Sequence, residues 1–145
     1  MDPMPAITQV FLNGLARHFL DRRIDLVADH FVYPLPFYSD DKLQVFGAAC
    51  TLQEALAMYR DAIDQAGIVR IAPRIIAEGI AVGRCSNVWV EWDHIDHAGL
   101  CQRISQVHYV LKRDGATPGP KIELVDYKVT AFPEVPASFL MALSA

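Results

Sequence analysis

Along the first twenty residues the stripe Ile7, Val10, Phe11, Gly14, Leu15, His18 and Phe19 keeps the i, i+3, i+4, i+7 spacing of an amphipathic helix with one buried face. Asp21-Arg22-Arg23 interrupts it, and residues 24–30 read as a short second helix with Leu26 and Val27 turned inward. Residues 31–38 change character. Their aromatic and β-branched side chains favour strand, but Pro34 and Pro36 cannot donate to a ladder, so an edge strand or extended rim segment is expected. Ser39-Asp40-Asp41-Lys42 turns the chain into a short partner strand at 43–46, ended by Gly47. Thr51 and Glu54 have the spacing of a capping box for a third helix. Its inner face carries Leu52, Ala55, Leu56, Tyr59, Ile63 and Ala66, and Gly67 supplies the left-handed residue that closes it.

After Gly67 the apolar period switches from 3.6 to 2. This predicts strands near 69–78, 81–95, 100–113 and 121–132, with a bend or bulge at Pro73 and turns at 96–99 and 114–120. A short helical turn is expected over 136–143. Three helices in the N-terminal half followed by a long antiparallel meander is an α+β layout with the helices on one face of the sheet. Strands of this length twist and curl, which predicts a cone-shaped cavity under the helices. All 145 residues are expected to form a single domain.

Composition narrows the setting. Apolar residues make up 52% of the chain, enough for a sizeable core. Thirteen basic residues, scattered, against seventeen acidic ones give a net charge of -4, which argues against a nucleic-acid partner. The N-terminal residues lack the pattern of a secretory signal, and no apolar run is long enough to span a membrane. Cys50, Cys85 and Cys101 are odd in number and far apart, so they read as reduced thiols. A cytoplasmic protein is expected.

The residues Ile24-Asp25-Leu26-Val27-Ala28-Asp29-His30-Phe31, then Asn87-Val88-Trp89-Val90-Glu91-Trp92, 109–115 and 121–127, carry a resemblance to the NTF2-like superfamily, in particular its SnoaL-like and ketosteroid-isomerase-like branches. The resemblance covers nearly the whole chain and rests on element order rather than on a diagnostic motif. It implies a strongly curved antiparallel sheet packed around the three helices. It implies little about chemistry, because the fold hosts isomerases, dehydratases, cyclases, hydrolases and non-catalytic binders. The steroid-isomerase-like acid–base positions match Leu15, Ser39 or Asp40, and Gln106 or His108, so that proton shuttle is not expected to carry over.

Within such a cone, His108 is the candidate general acid or base, provided that it faces the cavity; otherwise it is a half-buried histidine bonded to backbone or at a dimer face. Tyr127 shares a strand face with Val125 and Val129, and its hydroxyl either orients a ligand oxygen or serves the core. Tyr33, Phe37, Tyr59, Trp92, Val125 and Val129 are the expected ligand-binding set, with Tyr33, Phe37 and Tyr38 as an aromatic rim or a plain hydrophobic cap. Trp89, on the opposite face from Trp92, suits a subunit interface. Arg103 and Glu91 are placed to pair across the sheet. Asp93, His94, Asp96, His97 and Cys101 are all competent metal ligands, but alternation sends Asp93 and His94 to opposite faces and Asp and His are ordinary turn residues, so neither metal nor cofactor is assigned.

Two functions stand side by side. One is an acid–base enzyme of isomerase, dehydratase or cyclase type, acting on a small apolar or aromatic molecule through His108 and Tyr127. The other is a non-catalytic ligand-binding or dimerisation domain. A homodimer is expected in both, since the strands carry apolar residues on both faces.

Overall fold

Helix α1 (Ile7–Leu20) spans the predicted residues and buries Leu15 and Phe19 of the predicted stripe, but its buried arc also takes in Thr8, Leu12 and Ala16. Ile7 and Val10 are left facing solvent. Thr8 is the reason the arc shifts: its hydroxyl donates to Glu78 Oε2 at 2.7 Å, tying the helix to the first long strand. Helix α2 (Ile24–Ala28) follows as a single short turn of chain. These elements come from a computed structural model that describes residues 7–113 and 119–135. The helical turn predicted over 136–143, and most of the turn predicted over 114–120, lie outside the described residues.

Helix α3 (Ala49–Gln65) starts two residues ahead of Thr51, after an extended Ala48. Thr51 is therefore inside the first turn, where its hydroxyl donates back to the Ala48 carbonyl at 2.8 Å, so the predicted capping box is not made. The C-terminal prediction holds: Gly67 has φ +77° and its N–H donates to the Asp64 carbonyl.

Six strands form one curved, unclosed sheet in the order β2-β1-β6-β5-β4-β3. They are β1 (Leu35–Ser39), β2 (Lys42–Phe46), β3 (Ile68–Glu78), β4 (Cys85–Asp96), β5 (Cys101–Lys112) and β6 (Lys121–Val129). The sheet is not wholly antiparallel, and β1 is not at its edge. β1 pairs antiparallel with β2 and parallel with β6, through Phe37–Val125, Tyr38–Asp126 and Ser39–Tyr127. The prolines permit this because the β6 pairing begins only after Pro36. Pro73, by contrast, sits on edge strand β3 in regular register with Trp92, and the irregularities lie between Ile68 and Arg70 and between Ile75 and Ala77.

The helices cover the concave face. Leu12, Phe19, Val27, Leu52 and Ile63 pack over Val88, Val90, Val107, Leu111, Ile122 and Val125, all buried. No helix among the described residues is long and apolar enough to cross a membrane.

Candidate functional site: an uncharged aromatic cavity

On β4 the alternation Val88, Val90, Trp92, His94 points inward, and on β5 the alternation Ser105, Val107, Tyr109, Leu111 meets it. Between these rows and the helices lies a cavity of about 90 Å³. An adjoining lobe of about 50 Å³ shares Phe37, Leu52, Leu56, Tyr59 and Tyr127 as walls. Together they approach the scale of the ~150 Å³ apolar cavities that accept a benzene ring. Neither lobe is lined by a carboxylate, an ammonium or a guanidinium. The polar side-chain groups are three phenol hydroxyls (Tyr59, Tyr109, Tyr127), the Trp92 indole N–H, the His94 imidazole and, in the second lobe, the Thr130 hydroxyl.

His94 is completely buried, and its partners fix its tautomer. Nδ1 lies 3.0 Å from the Trp92 carbonyl, which only accepts, so Nδ1 carries the proton. Nε2 is then an acceptor, and it receives the Tyr59 hydroxyl at 2.5 Å. Burial holds the His94 pKa below the ordinary histidine value, so the ring is neutral at pH 7. Burial also raises the Tyr59 pKa, which keeps the shared proton on the phenol.

The second polar pair is Trp92 Nε1–H donating to the Tyr109 hydroxyl at 2.9 Å. Tyr127 stands beside Tyr109, its own pKa pushed up to about 12 by burial. Phe132 closes one end, with its ring centroid 5.7 Å from His94 and 5.9 Å from Tyr59. Arg103 caps Phe132 from outside, its guanidinium 4.3 Å from the ring centroid and bonded to the Ala131 carbonyl.

At the level of sequence, no protein-family model and no curated protein matches the chain. The comparison of structures does. An NTF-2 like protein of unknown function from Shewanella oneidensis superposes at TM-score 0.58 and 13% identity, over 80% of this chain and 91% of that one. ActVI-ORFA from Streptomyces coelicolor gives 0.62 and 14%, over 86% and 93%. The beta subunit of benzoate 1,2-dioxygenase from Burkholderia mallei gives 0.58 and 16%, over 90% and 93%. The fold is NTF2-like.

In this NTF2-like cone the positions matched to the steroid-isomerase acid–base groups carry no acid into the cavity. Leu15 is an apolar wall, Asp40 sits in the β1–β2 turn with φ +54°, and His108 faces outward. Five of the residues proposed from sequence converge on the cavity: Phe37, Tyr59, Trp92, Val125 and Tyr127. Three do not. His108 falls on the convex face because the buried parity of β5 is odd-numbered from Ser105 to Leu111. There it stacks on Trp89 at 4.7 Å and its Nε2 meets Asn87 Oδ1 at 2.7 Å. Its candidacy as the acid or base of the cavity therefore lapses. Val129 pairs with Gln106 while Tyr127 pairs with Val107, so Lys128 is an extra residue that turns Val129 to the outer face. Tyr33 donates its hydroxyl to the Ala28 carbonyl at 2.7 Å and lines a separate groove.

His94 and Tyr109, which carry polar groups into the cavity, were absent from the sequence-derived ligand set. Their signal was present: Val88-Val90-Trp92-His94 and Val107-Tyr109-Leu111 are unbroken alternations that put both rings on the buried side. The cluster containing His94 does not converge on a metal. Asp93 faces outward onto Arg74 at 2.8 Å, and Asp96 accepts from the Ala98 and Leu100 N–H groups of its own turn. Among the described residues no three metal-ligating side chains come together. Glu91 pairs with Arg74 at 2.7 Å and accepts from Gln106, not with Arg103, because the register sets Gln106 opposite Glu91 and Arg103 opposite His94.

Proposed function

We propose that the cavity binds a small, uncharged ring-bearing portion of a ligand and that His94 and Tyr59 move a proton on it. The observation that carries this reading is the buried neutral imidazole, locked by Trp92 so that Nε2 can only accept, joined to the Tyr59 hydroxyl at the cavity wall. A proton taken from the ligand onto the Tyr59 oxygen releases the Tyr59 proton to Nε2. The resulting imidazolium keeps its Nδ1–H on the Trp92 carbonyl. Tyr127, placed beside Tyr109 on the opposite wall, donates to a ligand oxygen. The absence of charge in the lining suits a neutral carbonyl or phenol ring, since a charged group desolvated there would find no counter-ion.

Acetophenone is a suitable probe. Saturable binding is expected by calorimetry, together with protein-dependent deuterium exchange at its methyl group in heavy water. His94→Leu should abolish the exchange while leaving binding within a few fold. Binding without exchange would favour a non-catalytic ligand-binding domain, and no binding at millimolar acetophenone would refute the reading.

We also propose that the convex face carries a second copy of the chain. Trp89 is 40% exposed there and shares a shallow outer groove with Ile76, 55% exposed, and tryptophan is a residue type enriched at subunit interfaces. A dimeric mass by light scattering, converted to monomer by Trp89→Lys, is the expected result; a monomer at micromolar concentration sinks it.

A further inference from the structure

Outside the cavity, Phe31, Val32, Tyr33, Lys112 and Lys121 line a groove of about 380 Å³. Phe31 is a wall of both spaces, the groove and the neutral cavity. Its backbone is pinned, with Val32 N–H donating to the Ile122 carbonyl and Ile122 N–H to the His30 carbonyl, each at 2.8 Å. The two spaces are therefore held in fixed relation at the start of β6.

The groove has the charge that the cavity lacks. Lys112 and Lys121 are direct cross-strand partners on β5 and β6. Like charges directly opposite each other across a ladder are destabilising. Among the described residues neither lysine makes an ion pair. Glu123, two positions along, is engaged by the Cys85 thiol at 3.3 Å. The groove wall contributes aromatic surface, and the Tyr33 hydroxyl is already committed to Ala28.

We infer that the ligand is an aromatic acid or a conjugate with an anionic tail: its neutral ring passes Phe31 into the cavity while Lys112 and Lys121 hold the anionic group, a carboxylate in the simplest case, in the groove. This rests on the cavity reading above and adds the ligand's charge and polarity. The Lys112–Lys121 repulsion is relieved by the bound anion, which gives the pairing of two lysines at this position a use. Ring and anion recognition are separated in space, so a neutral interior and an acidic ligand are compatible.

The test compares phenylacetate, 3-phenylpropionate and 4-phenylbutyrate with the matching phenylalkanols by titration calorimetry at low salt. At least one acid should bind about tenfold or more tightly than its alcohol, the scale of a charge-assisted contact. The preference should disappear in the Lys112→Gln/Lys121→Gln double variant and shrink in 0.5 M salt, with alcohol affinity unchanged. Circular dichroism and melting of the double variant check that it folds. Leu56→Trp, which fills the cavity, separates the two proposals: it should remove alcohol binding in a lysine-intact protein. Alcohols that bind without an acid preference overturn this inference and leave the cavity reading standing. Acids that bind equally well to Leu56→Trp overturn the passage of the ring into the cavity. Failure of both series to bind overturns both readings.

Discussion

Tyr59→Phe removes one oxygen from the cavity wall; that oxygen neighbours the buried Ser105 hydroxyl as well as His94, and the loss at His94 can be worked directly. The imidazole is fully buried, Nδ1 is committed to the Trp92 carbonyl, and Nε2 has the Tyr59 hydroxyl as its donor. Without that hydroxyl a buried acceptor is left unmatched, at a cost of about 1–3 kcal/mol. The low end applies if the 90 Å³ cavity admits a water that takes over the bond. For a chain of this length each kcal/mol is roughly 2–4 °C in Tm, so a fall of about 2–12 °C is expected. The assay is urea unfolding at pH 7 on the wild type, Tyr59→Phe, His94→Leu and the double variant, with the m-value checked for constancy. The double variant lacks both partners, so its loss should be smaller than the sum of the single losses by about 1 kcal/mol or more. A Tyr59→Phe protein within 0.5 kcal/mol of wild type, together with additive single losses, would refute the proposed hydrogen bond and with it the acceptor state of Nε2.

Four further outcomes follow from the same geometry. Burial lowers the His94 pKa, so its contribution to stability is fully present above the unfolded value near 6.5 and is lost as pH falls through the folded value, at up to about 1.4 kcal/mol per pH unit. His30 and His108 are also lowered, chiefly by burial, and act in the same sense, so the check is that His94→Leu flattens the pH dependence of urea unfolding only in part. Val125→Ala should cost roughly 2 kcal/mol, since Val125 is 2% exposed, whereas Val129→Thr should stay within about 0.5 kcal/mol; equal costs by thermal unfolding would show that the Lys128 bulge is misplaced. Gly67→Ala should cost about 1 kcal/mol through its φ of +77°, read as a lower urea midpoint at constant m. His108→Ala should leave acetophenone affinity within twofold, and a larger loss by calorimetry would contradict its outward placement.

Much of the architecture was legible because periodicity reports which side of an element is apolar. The step from 3.6 to 2 at Gly67 marks the boundary between helices and long strands, and Gly67 does close α3. What periodicity does not report is how an element is turned against its neighbours. Two arcs of α1 satisfy helical spacing, one through Ile7 and Val10 and one through Thr8, Leu12 and Phe19; the Thr8–Glu78 bond chooses the second, and it joins residues 70 positions apart. The interior place of β1 was hidden in the same way. Pro36 excludes a ladder partner only where its missing N–H would be needed, and the parallel pairing with β6 begins one residue later.

The site was less legible, for a reason that belongs to strands. Side-chain direction has a period of 2, so any error of one residue exchanges the cavity set for the outer set. On β6 the alternation Val125, Tyr127, Val129 is perfect in sequence, yet the extra Lys128 sends Val129 outward and leaves the other two inside. On β5 the chemically attractive residue was His108, and its chemistry outweighed the apolar parity of Val107, Tyr109 and Leu111, which already placed it outside. His94 suffered the converse error. Set among Asp93, Asp96 and His97 it looked like part of a turn, or a metal ligand, whereas Val88, Val90 and Trp92 before it form the apolar row that it continues. A histidine that extends an apolar alternation must be buried, and a buried histidine must find a donor or an acceptor for each nitrogen. Here those are the Trp92 carbonyl and the Tyr59 hydroxyl, one on its own strand and one from α3. The functional question therefore turns on parity before it turns on residue type: chemistry can be assigned to a strand histidine only after the apolar row has said which face it occupies.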